Sequence, residues 1–292
     1  MATTLELAYE HCRHVAKEQA KNFYYAFRTL PAHKRRAVYA VYAFCRYCDD
    51  TADEPLPEEE RPRRFGLVRE MLSNLDSGEV ADPIFAALQD ASRTFEIPMS
   101  YYSEVVDGVE MDLTWTRFRD FDELRAYCYK VASVVGLICV EIFGYKDAHA
   151  REYAVDLGIA MQLTNILRDI REDADRGRIY IPQDELERFG YSEAELTGGV
   201  VNDAFRALME FQVARARRYF DSGGRLMPLL SPDSRVCPAV LRSLYRTLLD
   251  RIEAAGYDVF ERRIGLSSTE KLFLAARLWV SNAVPALPIL RR

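Results

Sequence analysis

The stretch that decides the fold covers residues 158–173 and reads GIAMQLTNILRDIRED. Its apolar residues recur at helical spacing, and the pattern continues on both sides to predict one helix over residues 148–175. Gly158 has no side chain and is expected to leave room above the polar groups that follow it. Carboxylates next to a core face are costly unless a cation or hydrogen-bond donors satisfy them. A polar strip beside the apolar face therefore indicates a site, and it consists of Gln162, Asn165, Asp169 and Asp173.

A second acidic helix end lies nearer the start of the chain. The helix predicted over residues 32–53 finishes in Asp49-Asp50-Thr-Ala-Asp53. Asp49 falls inside the apolar stripe of this helix and Asp53 at its edge, whereas Asp50 and Glu54 point away. Because Asp49 and Asp53 are four residues apart, they are stacked on one face and are suited to sharing metal ions. The stripe is formed by Val38, Val41, Tyr42, Cys45, Cys48 and Ala52.

The side chains of the two strips determine which chemistry they suit. Carboxylate and amide oxygens without histidine favour Mg²⁺, which keeps several waters and bridges carboxylates to substrate phosphates. Arg168 and Arg178 are placed to reach over the second strip, and guanidinium groups match diphosphate oxygens. Two acidic helices that face each other across an apolar pocket therefore predict a substrate with a diphosphate head and a hydrocarbon chain.

The rest of the chain is helical almost throughout, and we predict an all-α fold with one domain over residues 1–292. Glycine and proline are few, 14 and 12, and fall mainly between periodic segments, where helices begin and end. Residues 177–200 are expected to form an irregular connection with short helical turns. The predicted helices cover residues 3–20, 22–29, 32–53, 58–77, 82–95, 99–115, 121–143, 148–175, 202–222, 234–254 and 269–285.

Composition narrows the partners and the compartment. The net charge of −6 gives no basic field, which argues against nucleic acid as a partner. The six cysteines are scattered and the start of the chain lacks the apolar run of a signal peptide, so we expect a cytoplasmic protein with free thiols. The longest apolar stretch, residues 131–140, is too short to span a bilayer. Residues 278–290 leave peripheral membrane contact open, although packing of a last helix is the simpler explanation, and nothing indicates an oligomeric state.

At these residues the sequence resembles the squalene/phytoene synthase family. The first acidic segment and the aromatic run before it match one signature of the family, and the polar strip with the segment after it matches a second, highly specific one. The similarity extends from about residue 9 to residue 275. The matching positions are 21–27, 30–31, 35–37, 42–46, 49–53, 127–129, Gly136, 162–173, 176–182, Tyr245 and 261–262.

The resemblance implies an isoprenoid-synthase-type helical bundle with the two acidic motifs on opposite walls of a central cavity. It also implies head-to-head (1′–1) condensation of two identical prenyl diphosphates through a cyclopropyl intermediate. Carried over by position, the residues that would hold Mg²⁺ are Asp49, Asp53, Asn165, Asp169 and Asp173, with Gln162 beside them. The residues that would bind diphosphate are Arg46, Arg168, Tyr245 and Arg262. The reacting carbons would be lined by Phe23 and Tyr129.

Substrate length, product and reductant stay open at this point. The aromatic and Tyr-Ala-Phe-Cys-Arg segments are similar to those of bacterial presqualene diphosphate synthases of hopanoid pathways, which favours C15 (farnesyl) diphosphate and presqualene diphosphate or squalene as the product. The alternative is a phytoene synthase that acts on C20 (geranylgeranyl) diphosphate. No dinucleotide fingerprint is present, but this family binds NADPH without one, so the sequence leaves NADPH open as a second cofactor.

Two further classes share part of the pattern. A class I terpene cyclase or a chain-elongating prenyltransferase carries a similar first acidic motif. Asn165-x-x-x-Asp169-x-x-x-Asp173 fits the second motif of neither class well. A helical scaffold without activity is disfavoured because both acidic motifs are intact.

Overall fold

The computed structural model describes residues 3–20, 23–53, 60–76, 78 and 80–283, with the side chains of all of them except positions 53, 76 and 281–283. Within these ranges there is no β-strand, and the only extended pairing is an isolated bridge between Tyr145 and Leu230. The predicted all-α class is therefore confirmed. The α-helices are α1 Thr4–Gln19, α2 Phe23–Phe27, α3 Ala32–Asp53, α4 Glu60–Ser73, α5 Pro83–Phe95, α6 Met99–Thr114, α7 Phe121–Cys128, α8 Val134–Phe143, α9 His149–Arg168, α10 Ile170–Asp175, α11 Gln183–Phe189, α12 Glu193–Thr197, α13 Asp203–Gly223, α14 Val236–Ala254 and α15 Ser268–Ala283.

Local signals in the sequence account for several helix ends. Thr3 and Glu6 form a reciprocal capping box at the start of α1. Asp82 accepts hydrogen bonds from the backbone N–H groups of Ile84 and Phe85, and Pro83 takes the first helical position of α5. Gly144 ends α8 at φ +72°, a conformation that favours glycine.

Helix α9 lies at the centre of the molecule. It contacts α8, α13 and α14, and the buried side chains around it form one contiguous core. The helices pack closely where glycine removes the side chain: a Cβ on Gly223 would lie 2.9 Å from the Leu157 backbone nitrogen. This arrangement holds the strip that begins at Gln162 between α3 and α14. The single-domain organisation over residues 1–292 stays a prediction.

Two of the long predicted helices are interrupted. The helix expected over 148–175 kinks at Asp169 (φ −103°, ψ 13°), although the ladder bonds from Asp169 N to Asn165 O and from Asp173 N to Asp169 O both persist at 2.9 Å. The helix expected over 121–143 contains a π-helical turn at Tyr129–Ser133, between α7 and α8. Both features are too local for the periodicity of the sequence to indicate them. Within 177–200 the short turns are α11 and α12.

The helix predicted over residues 121–143 has the expected ends and is apolar over more than the run 131–140. It has 23 residues, and its most apolar 18-residue window has a mean hydropathy of 1.7, enough by length and composition to cross a bilayer. Half of its most apolar window is buried inside the protein. Because a helix that is apolar all round is typical of a core position, burial accounts for this composition.

Candidate active site

An apolar cavity of about 360 Å³ lies between α3, α8, α9 and α14. Ala154 of α9 lies next to Gly136, and Gly158 lies next to Ser133, so the helix that contains α8 runs antiparallel to α9. The acidic ends of α3 and α9 therefore share one end of the cavity, its mouth, and Val38, Val140 and Phe143 close the other end, its floor. The apolar lining includes Val41, Val131, Ala132, Val135, Leu157, Met161, Leu226, Pro238 and Leu241.

Three cysteines also line this cavity. All six cysteines are free, and those facing the cavity are Cys45, Cys139 and Cys237. Burial raises the pKa of each of these thiols, that of Cys139 to about 12. The thiols are therefore neutral and add no charge to the apolar wall.

The mouth brings together residues from both acidic segments. Asp49, Gln162, Asn165 and Tyr245 all line it, and Asp49 occupies the face of α3 that the helical phase predicts. The amide of Asn165 donates to the carbonyl of Gln162 over 3.3 Å and also interacts with the phenol of Tyr245. The side chain of Asp53, the second carboxylate of the first motif, is outside the described part of the chain.

Asp169 lies one turn beyond Asn165 and is paired with two arginines. Arg168 forms a two-point ion pair with this carboxylate, with 2.7 Å between Arg168 Nε and Asp169 Oδ1. Arg263 Nε lies 3.0 Å from the same oxygen and 3.3 Å from Glu172. Of the two loop arginines, Arg263 therefore contacts the second motif, and the diphosphate role of Arg262 stays a prediction.

Asp173 lies one further turn along, beside Arg178. Burial raises its pKa to about 7, and the negative charge of Asp169 adds to this effect, which Arg176 and Arg178 oppose. In the absence of a cation, the carboxyl group is therefore about half protonated near neutral pH.

A carboxylate with two tyrosine donors supports this wall. The hydroxyl groups of Tyr127 and Tyr180 donate to Asp112 Oδ1 over 2.7 Å and 3.0 Å, and Phe118 packs against both rings. Asp112 is also one of the charges that act on Asp173. Asp112 is absent from the site predicted from sequence, although one signal existed: it follows Val105 and Val109 on the buried face of α6.

The aromatic side chains divide between the mouth and its surroundings. Phe23 lines the cavity, with its ring centroid 6.4 Å from that of Tyr42 and 6.2 Å from that of Tyr245. At the π turn the cavity wall is made by Val131 and Ala132, whereas the phenol of Tyr129 lies beside Glu104 of α6. A role for Tyr129 at the reacting carbons stays a prediction.

Two further expectations can be compared with the structure. Gly158 does not leave an open space, because a Cβ there would lie 2.6 Å from Ser133 Cα; the glycine allows α9 to approach the π turn. Arg46, expected to bind diphosphate, forms an ion pair with Asp50 one turn along α3.

These residues fit a divalent cation that is shared with a substrate. Among the described side chains, no group of three or more carboxylates, histidines or cysteines is close enough to hold a metal alone. Asp49 and Asn165 nevertheless offer hard oxygen ligands at the cavity mouth, and the pKa of Asp173 is raised first by burial and then by the negative charge of Asp169, which a cation would offset. Mg²⁺ suits such a site because it binds through one or two carboxylates and completes its shell with water and phosphate.

Comparison with known proteins agrees with this geometry. The profile of the squalene/phytoene synthase family matches residues 16–270. A phytoene synthase of Mycobacterium tuberculosis is 41% identical over 283 residues, covering 96% of this chain and 93% of that protein. A 15-cis-phytoene synthase of Synechocystis is 38% identical, covering 96% of this chain and 87% of that protein.

Solved structures show the same fold. A squalene synthase, HpnC, from Alicyclobacillus acidocaldarius superimposes with a TM-score of 0.83 at 30% identity, covering 88% of this chain and 97% of that one. A dehydrosqualene synthase in complex with a ligand gives 0.87 at 29% identity, covering 95% of this chain and 97% of that one. The isoprenoid-synthase helical fold is therefore confirmed. This chain belongs to the squalene/phytoene synthase family, the enzymes that join prenyl diphosphates head to head.

Proposed function

We propose that this enzyme joins two C15 prenyl diphosphates to form presqualene diphosphate. The observation that carries the choice of substrate length is the volume of the cavity between α3, α8, α9 and α14, about 360 Å³. An apolar cavity of about 150 Å³ holds a benzene ring, or about 25 Å³ per carbon atom. On this scale the cavity holds one of the two substrate chains at a length of about 15 carbons, whereas one C20 chain needs about 500 Å³, and we assign the second chain to the open mouth.

The positive groups at the mouth bind the diphosphate heads. Arg168 and Arg263 already contact a carboxylate of the second motif, and guanidinium groups bind phosphate oxygens through two parallel hydrogen bonds. Family members bind diphosphate with the help of a divalent metal, and for this chain we propose Mg²⁺ held by Asp49, Asn165 and the second motif. When bound, the ion neutralises the diphosphate and makes it a better leaving group.

The apolar and aromatic lining protects the carbocation that the departing diphosphate leaves behind. The rings of Phe23, Tyr42 and Tyr245 lie near one another in the cavity lining, and an aromatic face attracts a cation by about 0.5–2 kcal/mol. Burial raises the pKa of Tyr42 to about 12, so the phenol stays protonated beside the cation. The double bond of the second chain then attacks this carbon, and loss of a proton closes the cyclopropane ring, while the diphosphate of the second chain stays on the product.

The second candidate is condensation of two C20 diphosphates to phytoene. Its support is the similarity to curated phytoene synthases at 38–41% identity, higher than the 29–30% shared with the squalene-type structures. Membership of a family that condenses prenyl diphosphates head to head argues against a terpene cyclase or a chain-elongating prenyltransferase.

Product analysis distinguishes the candidates. The purified protein is incubated with Mg²⁺ and either C15 or C20 diphosphate, with and without NADPH, and Asp49→Asn serves as the inactive control. We expect presqualene diphosphate from the C15 substrate without NADPH, with one diphosphate released per product, because no step up to that point consumes hydride. Squalene formed only with NADPH would favour a two-step synthase, and exclusive turnover of the C20 substrate would favour a phytoene synthase.

The compartment stays part of the proposal. We propose that the enzyme is cytoplasmic and that it takes up its long-chain substrates and releases its product at a membrane surface. Fractionation of cells that express the full chain is the direct measurement, and recovery from a secreted fraction would contradict it.

A further inference from the structure

The turn that follows the second acidic motif carries an arginine to which the proposed reaction assigns no role. Arg178 lies beside Asp173 and interacts with the phenol of Tyr180. Two other arginines are already paired with Asp169, whereas among the described side chains no carboxylate forms an ion pair with Arg178. Its guanidinium group therefore keeps donors for an anion that binds at the second motif.

The peptide unit that leads into Arg178 is hydrogen-bonded at both ends. Its N–H, which belongs to Arg178, donates to the carbonyl of Asp173 over 2.8 Å. Its carbonyl, which belongs to Gly177, accepts a hydrogen bond from Arg117 Nη1 over 2.7 Å. Gly177 has φ +76°, and no atom of the described chain lies within 4 Å of the place that a Cβ would occupy, so packing does not hold the turn there. Because a peptide unit is planar, these two bonds fix its orientation and with it the direction of the Arg178 side chain.

Arg117 is itself held in place by a carboxylate. Its Nε lies 3.0 Å from each carboxylate oxygen of Glu193, the first residue of α12. Its Nη1 also donates to the carbonyl of Thr116 over 2.8 Å, and this oxygen accepts the backbone N–H of Ile179 over 3.0 Å. Arg117 therefore joins the loop before α7, the turn after α10 and the start of α12. Since Glu193 takes up its charge, Arg117 is suited to hold the turn and not to bind phosphate.

We propose that Arg178 binds the diphosphate of the substrate and that Arg117 is the positioning residue that directs it there. The proposal rests on the proposed function only for the diphosphate head, which C15 and C20 substrates share. Arg117 touches neither substrate nor metal in this arrangement, and its whole effect passes through the carbonyl of Gly177.

A double-mutant cycle tests whether the two arginines act as one unit. The Kd of inorganic diphosphate is measured with Mg²⁺ present by isothermal titration calorimetry on the full chain. Arg178→Ala should raise this Kd at least about tenfold, because it removes a charged hydrogen bond to phosphate. Arg117→Ala should raise it about fivefold, because Arg178 stays but loses its direction. Adding Arg117→Ala to Arg178→Ala should change the Kd by less than about twofold, whereas independent residues would multiply their effects.

Variants of Glu193 separate positioning from a general loss of structure. Glu193→Gln keeps an oxygen for Arg117 Nε and should change the Kd by less than about twofold, whereas Glu193→Ala should weaken binding about as much as Arg117→Ala. If Arg117→Ala does not fold, Glu193→Ala takes its place in the cycle, because it disturbs the same contact from the other side.

Arg119→Ala is the matched control on the same loop. Arg119 is exposed and pairs with Asp120 and Glu123 at the start of α7, away from the turn at Gly177. Its replacement should leave the Kd of inorganic diphosphate unchanged.

Four results would overturn the proposal. An unaltered protein that does not bind inorganic diphosphate would do so, and an unchanged Kd in Arg178→Ala would limit this arginine to its contact with Tyr180. Effects that multiply in the double variant would mean that Arg117 does not act through Arg178. A rise in Kd as large in Arg119→Ala would trace the effect to the loop as a whole. The proposed function fails separately, because a protein that binds diphosphate with the expected pattern but converts neither prenyl diphosphate would contradict the reaction only.

Discussion

Asp49 and Asp50 are neighbours in the chain, yet they occupy different surroundings. Asp49 faces the cavity mouth, whereas Asp50 pairs with Arg46 on the side of α3. We expect Asp49→Asn to lower the rate of diphosphate release by about 10²-fold or more, since it removes preorganised charge at the reacting end. Asp50→Asn should cost less than Asp49→Asn because it removes the ion pair with Arg46 and no group from the cavity mouth. A more damaging Asp50→Asn would mean that the wrong face of α3 has been assigned to the site.

The raised pKa of Asp173 gives the metal-free protein a defined dependence on pH. The group titrates near 3.8 when unfolded and about 7 when folded, so between these values only the unfolded state releases the proton. The free energy of unfolding therefore falls as pH rises from about 4 to 7, by on the order of 2 kcal/mol after allowance for solvent screening. Asp173→Asn should raise the melting temperature in EDTA at pH 8 by about 4 °C and have little effect near pH 4.

Asp175 provides the control on the same helix. It is exposed and pairs with Arg171 four residues away, so Asp175→Asn should leave the pH dependence of the melting temperature unchanged. An Asp173→Asn protein that keeps the slope of the unaltered protein between pH 4 and 7 would show that another group causes it.

At the scale of the element, the contact between α9 and the π turn positions the polar strip. Gly158 touches the backbone of Ser133, and Gln162 follows one turn later at the cavity mouth. A Cβ at position 158 would lie 2.6 Å from Ser133 Cα and 2.8 Å from its nitrogen, so the helices would have to separate. We expect Gly158→Ala to lower the free energy of unfolding by about 1–3 kcal/mol, measured by denaturant titration.

Gly66 is the matched control for this substitution. It lies inside α4, is exposed, and has no atom within 4 Å of the position where a Cβ would be placed. Gly66→Ala should stabilise the protein by about 0.4–1 kcal/mol, because alanine loses less backbone entropy on folding. If the two variants changed stability in the same direction, the close approach of α9 to the π turn would not be what requires glycine at position 158.

The sequence predicted the elements better than their irregularities. Helical spacing of apolar residues identified α3 and α9 and placed Asp49 on the cavity face, because periodicity reports directly which face is buried. It could not reveal the π turn at Tyr129–Ser133 or the kink at Asp169, which depend on contacts between helices. Asp112 and Arg263 were missed because their contacts depend on the fold: Asp112 meets Tyr180 across 68 residues of sequence, and Arg263 meets Asp169 across 94 residues from a loop without periodicity.

At the scale of the whole molecule, hydrogen bonds from a lysine outside the cavity hold the backbone of its floor in place. Lys34 Nζ donates to the carbonyl of Phe143 over 2.9 Å, to Asp233 over 2.8 Å and to Ser234 over 3.0 Å. Because this buried ammonium anchors the backbone at Phe143, we expect the phenyl ring to act as a stop for the hydrocarbon chain. The opposite end is open to the acidic motifs, so the distance from the mouth to this ring is expected to set the length of the accepted chain.

Replacing Phe143 by a smaller residue should therefore allow the enzyme to accept a longer prenyl chain. Phe143→Leu keeps the floor apolar and leaves the bonds of Lys34 intact, so the space released adds to the cavity instead of collapsing. We expect the ratio of kcat/KM for C20 diphosphate to that for C15 diphosphate to rise at least about tenfold, which corresponds to about 1.4 kcal/mol. Phe189→Leu is the control, because that ring packs on Phe211 and Arg188 away from the cavity lining. An equal rise in both variants would trace the effect to general loosening, and no rise in Phe143→Leu would mean that chain length is set elsewhere along the wall.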